Sequence, residues 1–157
     1  MENKIIEIFT DGGCRGNQTE KNIGSWGAYI LFGSHEKRIS GVALDTTNNI
    51  MELKAVIMAL NSLTKYNIPI VVTTDSNYVC QGINEWIYTW MAKSWINSKR
   101  KPVKNQTLWE ELFLKKIKFD SISFEWCKGH ESSVGNIEAD RLCNQAMDEY
   151  LLTVDKE

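Results

Sequence analysis

A chain of 157 residues with 43% hydrophobic and 24% charged side chains is expected to form one domain, residues 1–157, with a proper buried core. No apolar run approaches a bilayer span, and MENKIIEIFTD enters strand-like alternation at once, which argues against a signal peptide. These features predict a soluble, cytoplasmic protein with no membrane partner. The net charge of −2 excludes a globally basic nucleic-acid binder, yet KSWINSKRKPVK carries Lys93, Lys99, Arg100, Lys101 and Lys104 with no acid. The four cysteines, Cys14, Cys80, Cys127 and Cys143, lack CxxC spacing, so free thiols are expected rather than a zinc or redox site.

In chain order, KIIEIFTD alternates and then meets two glycines, which predicts a strand ending at Asp11. SWGAYILFG and KRISGVAL predict two more strands across a short GSHE turn, completing an antiparallel meander. TTNN supplies capping chemistry for a helix whose apolar residues Leu53, Val56, Ile57, Leu60 and Leu63 recur at helical spacing. Pro69 precedes the β-branched run IVVTT, a buried strand expected to lie parallel to the first. Asp75 or Ser76 then caps a helix over NYVCQGINEW. A tryptophan-rich basic stretch, a helix around LWEELFLKKI, the strand SISFEW, the loop GHESSVG and a helix over NIEADRLCNQAMDEYL complete the chain. The order β-β-β-α-β-α-α-β-α predicts an α/β fold with a mixed sheet flanked by helices, with no repeat or linker.

Four carboxylates lie at the ends of different predicted elements: Asp11, Glu52, Asp75 and Asp140. Alone, each is an ordinary turn former or early-helix acid. Converging on one point, they would repel each other unless a cation sat between them, and hard oxygen donors suit magnesium or manganese. Phosphodiester cleavage by two metal ions uses such a cage, so the residues point to a nuclease.

The tracts holding these acids, FTDGGCRGN, GSWGAYI, TTNNIMELKAVIMAL, TTDSNYVCQGI, KPVKNQTLWEEL and WCKGHESSVGNIEADRLC, resemble type 1 ribonuclease H and follow that family's order. The resemblance implies a five-stranded mixed sheet of three antiparallel and two parallel strands. It further implies a free-standing, monomeric endonuclease that hydrolyses the RNA strand of RNA–DNA hybrids, leaving 3′-hydroxyl and 5′-phosphate ends. Asp11, Glu52, Asp75 and Asp140 match the family's metal-binding acids, expected to hold two Mg2+ ions with Mn2+ as a substitute. His130 matches a loop histidine able to shuttle a proton or assist product release.

Hybrid recognition requires reading the 2′-hydroxyl, for which short amides that donate and accept are suited. Asn17, Asn48, Asn49, Asn77 and Gln81 match substrate-contact positions by resemblance. Thr47 and Asn105 match a DNA-phosphate pocket. Trp86 is assigned to substrate, and Trp90 and Trp95 to packing within a protruding basic handle. Lys93, Lys99, Arg100, Lys101 and Lys104 of that handle would meet phosphates. The chain departs from the family pattern in the loop after Asn17, which reads QTEKNIGSWG, at Asp45, where an arginine is common, and at Ile50, a site often basic. A carboxylate at 45 repels phosphate, so weaker hybrid binding with steeper salt sensitivity is expected. The alternatives are a catalytically silent hybrid-binding module and another nuclease of the same fold, of the transposase, integrase or resolvase type. A missing metal acid would favour the former, and none is missing.

Overall fold

The computed structural model describes residues 5–16, 22–128 and 133–154. Five strands, β1 (Ile6–Arg15), β2 (Ile23–Phe32), β3 (His35–Leu44), β4 (Ile70–Thr74) and β5 (Ile122–Trp126), form one sheet in the order β3-β2-β1-β4-β5. The helical segments are α1 (Asn48–Asn61), α2 (Asn77–Gln81), α3 (Ile87–Ala92), α4 (Gln106–Lys116) and α5 (Val134–Val154). The β1–β2–β3 meander is antiparallel and β4 runs parallel to β1, as the sequence predicts, and β5 runs parallel to β4. The β2–β3 turn is only Gly33 and Ser34, and Gly33 takes the φ of +59° that tight hairpin turns favour in glycine.

Even-numbered residues of β1 and β2 face α1, while odd-numbered ones face α5. Ile6, Ile8, Ala28 and Ile30 therefore join Leu53, Val56, Leu60, Val72, Trp109 and Leu112 in the main core. Each fully buried aliphatic side chain there contributes on the order of 1.5–3 kcal/mol. On the opposite face, Ile23 packs with Cys143 and Met147 of α5, and the Ser25 hydroxyl donates to the Cys143 carbonyl. With both faces covered, β2 is buried over its first eight residues, whereas the edge strand β3 is largely exposed. All four cysteines are free thiols, and burial pushes Cys143 up to about 12.

The sequence predicts one helix over NYVCQGINEW, but between α2 and α3 the structure has a π-helical turn at Gly82–Trp86. The fully buried Trp109 ring occupies the place of a side chain at Gly82, where a Cβ would lie 2.0 Å from the ring. Widened helical turns of this kind recur near functional sites. This one re-aims Trp86, Tyr88 and Trp90 relative to α2.

Candidate active site

The parallel register of β1 and β4 builds the core of the site. Thr10 lies opposite Thr74 in the last rung between them, so Asp11 and Asp75 follow side by side where β4 stops and β1 runs on. The next residue, Gly12, passes against the start of α1. A Cβ there would sit 2.5 Å from the Met51 carbonyl carbon and 2.6 Å from the Glu52 nitrogen, so only glycine permits this approach. Thr47 caps α1 by accepting from the Ile50 N–H at 3.1 Å, which fixes the turn preceding Glu52.

Asp11, Glu52 and Asp75 each offer an oxygen within 4.8 Å of the others. Asp140 reaches the cluster from α5, and its carboxyl is a hydrogen-bond neighbour of Asp11. That approach depends on Gly27, the β2 partner of Asp11, where a Cβ would meet the Ala139 carbonyl oxygen at 2.7 Å. Arg15 at the end of β1 also holds α5, donating to Asp148 at 2.6 Å and to Asn144 at 2.9 Å. The Asn144 amide in turn donates to the Asp140 carbonyl at 3.1 Å. Helix α5 begins two residues before its predicted start, so Asp140 lies in its second turn. Packing on β1 and β2, rather than the helix dipole, sets its place.

The electrostatics are those of acids crowded away from water. Burial, then Asp75 and Asp140, push the Asp11 carboxyl from 3.8 up to about 8, against the opposing pull of the Gly12 N–H at 2.9 Å. Burial and the charges of Asp11 and Asp75 push Glu52 well above its ordinary range. Glu52 Oε1 is buried without a hydrogen-bond partner. A buried acceptor left open beside two further carboxylates is what a hard divalent cation would satisfy, so the donor set fits such an ion.

Comparison with known proteins decides the family. The RNase H family model matches residues 3–148. The chain belongs to the RNase H family. It is 48% identical over 146 residues to a Ruthia magnifica protein named ribonuclease H, covering 93% of this chain and 97% of that one. A Methylobacillus flagellatus ribonuclease H is 45% identical over 151 residues, covering 96% and 97%. Among solved structures, LC9-RNase H1, described as a type 1 RNase H with the type 2 active-site motif, matches with a TM-score of 0.76 at 25% identity. That match covers 93% of this chain and 73% of the other. The N-terminal RNase H domain of a Mycobacterium tuberculosis protein shares the fold at a TM-score of 0.71 and 24% identity, over 97% and 99% of the two chains.

The other positions singled out in this RNase H sequence fall into four groups, the last of them the basic handle. Asn17 and His130 lie outside the described residues. Asn48, Asn49 and Asn77 are exposed at the starts of α1 and α2, close to Glu52 and Asp75 in the chain, with Gln81 half-buried one turn on from Asn77. Thr47 and Asn105 already have internal roles. Thr47 is the α1 cap, and the Asn105 amide donates to the Tyr78 hydroxyl at 3.1 Å, which also accepts from the Trp109 indole at 3.0 Å.

In the basic handle, Asn97 accepts from the Lys99 and Lys101 backbone N–H groups through its side chain and donates to the Lys101 carbonyl through its own N–H. This leaves Lys93, Lys99, Arg100, Lys101 and Lys104 exposed. Beneath them Trp90 packs against Trp86, Trp95 and Trp109, with centroids 6.0, 6.0 and 5.4 Å away, while Trp86 remains 37% exposed. An open cavity of about 400 Å³ between handle and body is lined by Tyr78, Trp90, Lys101 and Lys104, among others. Asp45 is exposed at the end of β3 with φ +54°, its N–H donating to the Asn22 carbonyl at 2.9 Å.

Sequence reasoning passes over Arg15, which ties the strand of Asp11 to the helix of Asp140, and Trp126, whose indole donates to the Asp75 carbonyl at 3.1 Å. The pairing of β4 with β5 brings Trp126 beside the strand that leads into Asp75.

Proposed function

We propose that this protein hydrolyses the RNA strand of RNA–DNA hybrids by two-metal-ion catalysis, leaving 3′-hydroxyl and 5′-phosphate ends. Membership of the RNase H family makes it a divalent-metal-dependent endoribonuclease. The observation that carries the finer reading is the meeting of Asp11, Glu52 and Asp75 within 4.8 Å, with the Asp11 carboxyl raised to about 8. Asp11, Glu52, Asp75 and Asp140 would hold Mg2+, with Mn2+ as a substitute. When bound, two such ions supply a nucleophilic water and charge stabilisation for the leaving 3′ oxygen.

The side chains of the protein do the remaining work. The four carboxylates would hold the cations that draw the scissile phosphate into place, and no side chain becomes covalently attached. His130 passes a proton to or from the reacting strand. Asn48, Asn49, Asn77 and Gln81, with Asn17, read the 2′-hydroxyls. Trp86 and the handle lysines and arginine follow the DNA strand, with Thr47 and Asn105 lending polar atoms near a DNA phosphate where their internal hydrogen bonds allow. One domain over residues 1–157 carries the activity, working as a monomer in the cytoplasm. Among the described residues no helix is long and apolar enough to cross a membrane.

The test is cleavage of one end-labelled sequence presented as RNA–DNA hybrid, RNA duplex, DNA duplex and single-stranded RNA. Each is assayed with Mg2+, with EDTA, and with Asp11→Asn. Metal-dependent cutting of the hybrid alone, lost in the variant, is expected. Tight hybrid binding without cutting would indicate a silent module, and cutting of DNA duplex would move the protein to a sister nuclease.

A further inference from the structure

We propose that Trp126 is a positioning residue for Asp75, its indole N–H setting the direction in which that carboxylate meets the metal. The proposal rests on the reading of Asp75 as a metal ligand.

The ladder between β4 and β5 ends at the pair Thr74 and Trp126, and Asp75 lies in the bend just beyond it. The bend is held from both sides. The Cys127 N–H donates to the Thr74 carbonyl at 2.9 Å, and the Ser76 N–H donates to Thr74 Oγ1 at 3.0 Å. Ser76 then caps α2 by accepting from the Val79 N–H at 3.1 Å. Past the last rung, the Asp75 carbonyl receives the Trp126 Nε1–H at 3.1 Å. An indole nitrogen only donates, so this bond has one sense and aims the ring at one oxygen.

Trp126 remains 50% exposed, so core packing is a poor account of a residue this large at this place. The bond anchors the carbonyl end of the Asp75–Ser76 peptide, whose N–H end is held by Thr74 Oγ1, so the bend that carries the Asp75 side chain toward Asp11 and Glu52 is tied at both ends. The three acids repel one another, and Asp75 is the one carried by a non-helical bend. Freed from the indole, the bend keeps only the Ser76 N–H tie, and repulsion among the acids can shift the Asp75 backbone and carry its carboxylate away from its neighbours.

The experiment is calorimetric titration of the full-length, EDTA-stripped protein with Mn2+, without nucleic acid. Wild type is compared with Trp126→Phe and with position 126 carrying the benzothienyl isostere, which keeps the ring's shape and replaces the N–H with sulfur. Both substitutions should weaken Mn2+ binding about three- to tenfold, the range one net hydrogen bond supplies. The KM for hybrid at saturating metal should stay unchanged. Wild-type Mn2+ affinity in the isostere overturns the proposal, including the case in which only Trp126→Phe weakens binding, since packing would then be responsible. Asp11→Asn separates this from the underlying reading: if it binds Mn2+ as wild type does, the carboxylates are not the metal site and both ideas fall.

Discussion

Replacing Asp11 by asparagine should make the metal-free protein more stable while abolishing its activity. The Asp11 carboxyl titrates at about 8 in the folded protein, against 3.8 when unperturbed. The folded state thus holds this proton more tightly than the unfolded chain. Its stabilising contribution is complete below about pH 4 and is lost as pH rises through about 8, at up to about 1.4 kcal/mol per pH unit. At pH 7 the loss approaches about 4 kcal/mol, and sharing of protons among the neighbouring acids brings it to roughly 2–4 kcal/mol. Asparagine carries no charge, can still accept from the Gly12 N–H, and can donate toward the remaining carboxylates. In EDTA at pH 7 to 8, Asp11→Asn should therefore melt roughly 5–10 °C above wild type, a gap that closes toward pH 4. Saturating Mg2+ should shrink or cancel the gap, since metal at a hundredfold excess over its dissociation constant stabilises wild type by about 2.7 kcal/mol and the variant hardly at all. Melting curves followed by circular dichroism across pH, with and without metal, provide the test. A variant that melts at or below wild type in EDTA at pH 7 to 8, or a gap that does not depend on pH, would refute the argument that burial and the neighbouring acids make the Asp11 charge costly in the folded protein.

The remaining predictions concern packing and the handle. Gly12→Ala must push α1 away from β1, because its Cβ would fall 2.5 Å from backbone; a loss of roughly 1–3 kcal/mol in urea unfolding is expected, with more metal needed for half-maximal cleavage. Trp109→Ala should cost about 3–5 kcal/mol by the same assay, through loss of a fully buried ring that locks Gly82 and Trp90, while Mn2+ affinity stays close to wild type. Lys101→Ala with Lys104→Ala should raise the KM for hybrid and flatten the log–log dependence of binding on salt by roughly 0.7–0.9 per phosphate contact removed. An unchanged slope would mean that these exposed lysines do not meet phosphates.

The sequence by itself determined the elements and most of their order, because those depend on local periodicity, turn residues and caps. The alternation in KIIEIFTD, the run IVVTT and the TTNN helix start each correspond to the observed strand or helix, although β1 runs on to Arg15 rather than ending at Asp11, because it keeps pairing with β2. The TD pairs at residues 10–11 and 74–75, on strands expected to be parallel, already placed Asp11 beside Asp75 once the register was known. What only the tertiary structure decided depends on residues distant in sequence. Gly12 read only as a glycine that ends its strand, and Gly27 as any strand glycine, until α1 and α5 were packed within 3 Å of the space a Cβ would take. The π turn at Gly82 had no local signature, because the ring that fills its missing side chain comes from Trp109. Asn105 read as a phosphate contact, and only the fold turned its amide toward Tyr78. Likewise Trp126 was one more aromatic at a strand end until the β4–β5 register brought its N–H to Asp75. Short-range patterns fixed where each carboxylate sits along the chain; the approach of backbones across the sheet, which no local pattern encodes, brought them to one point.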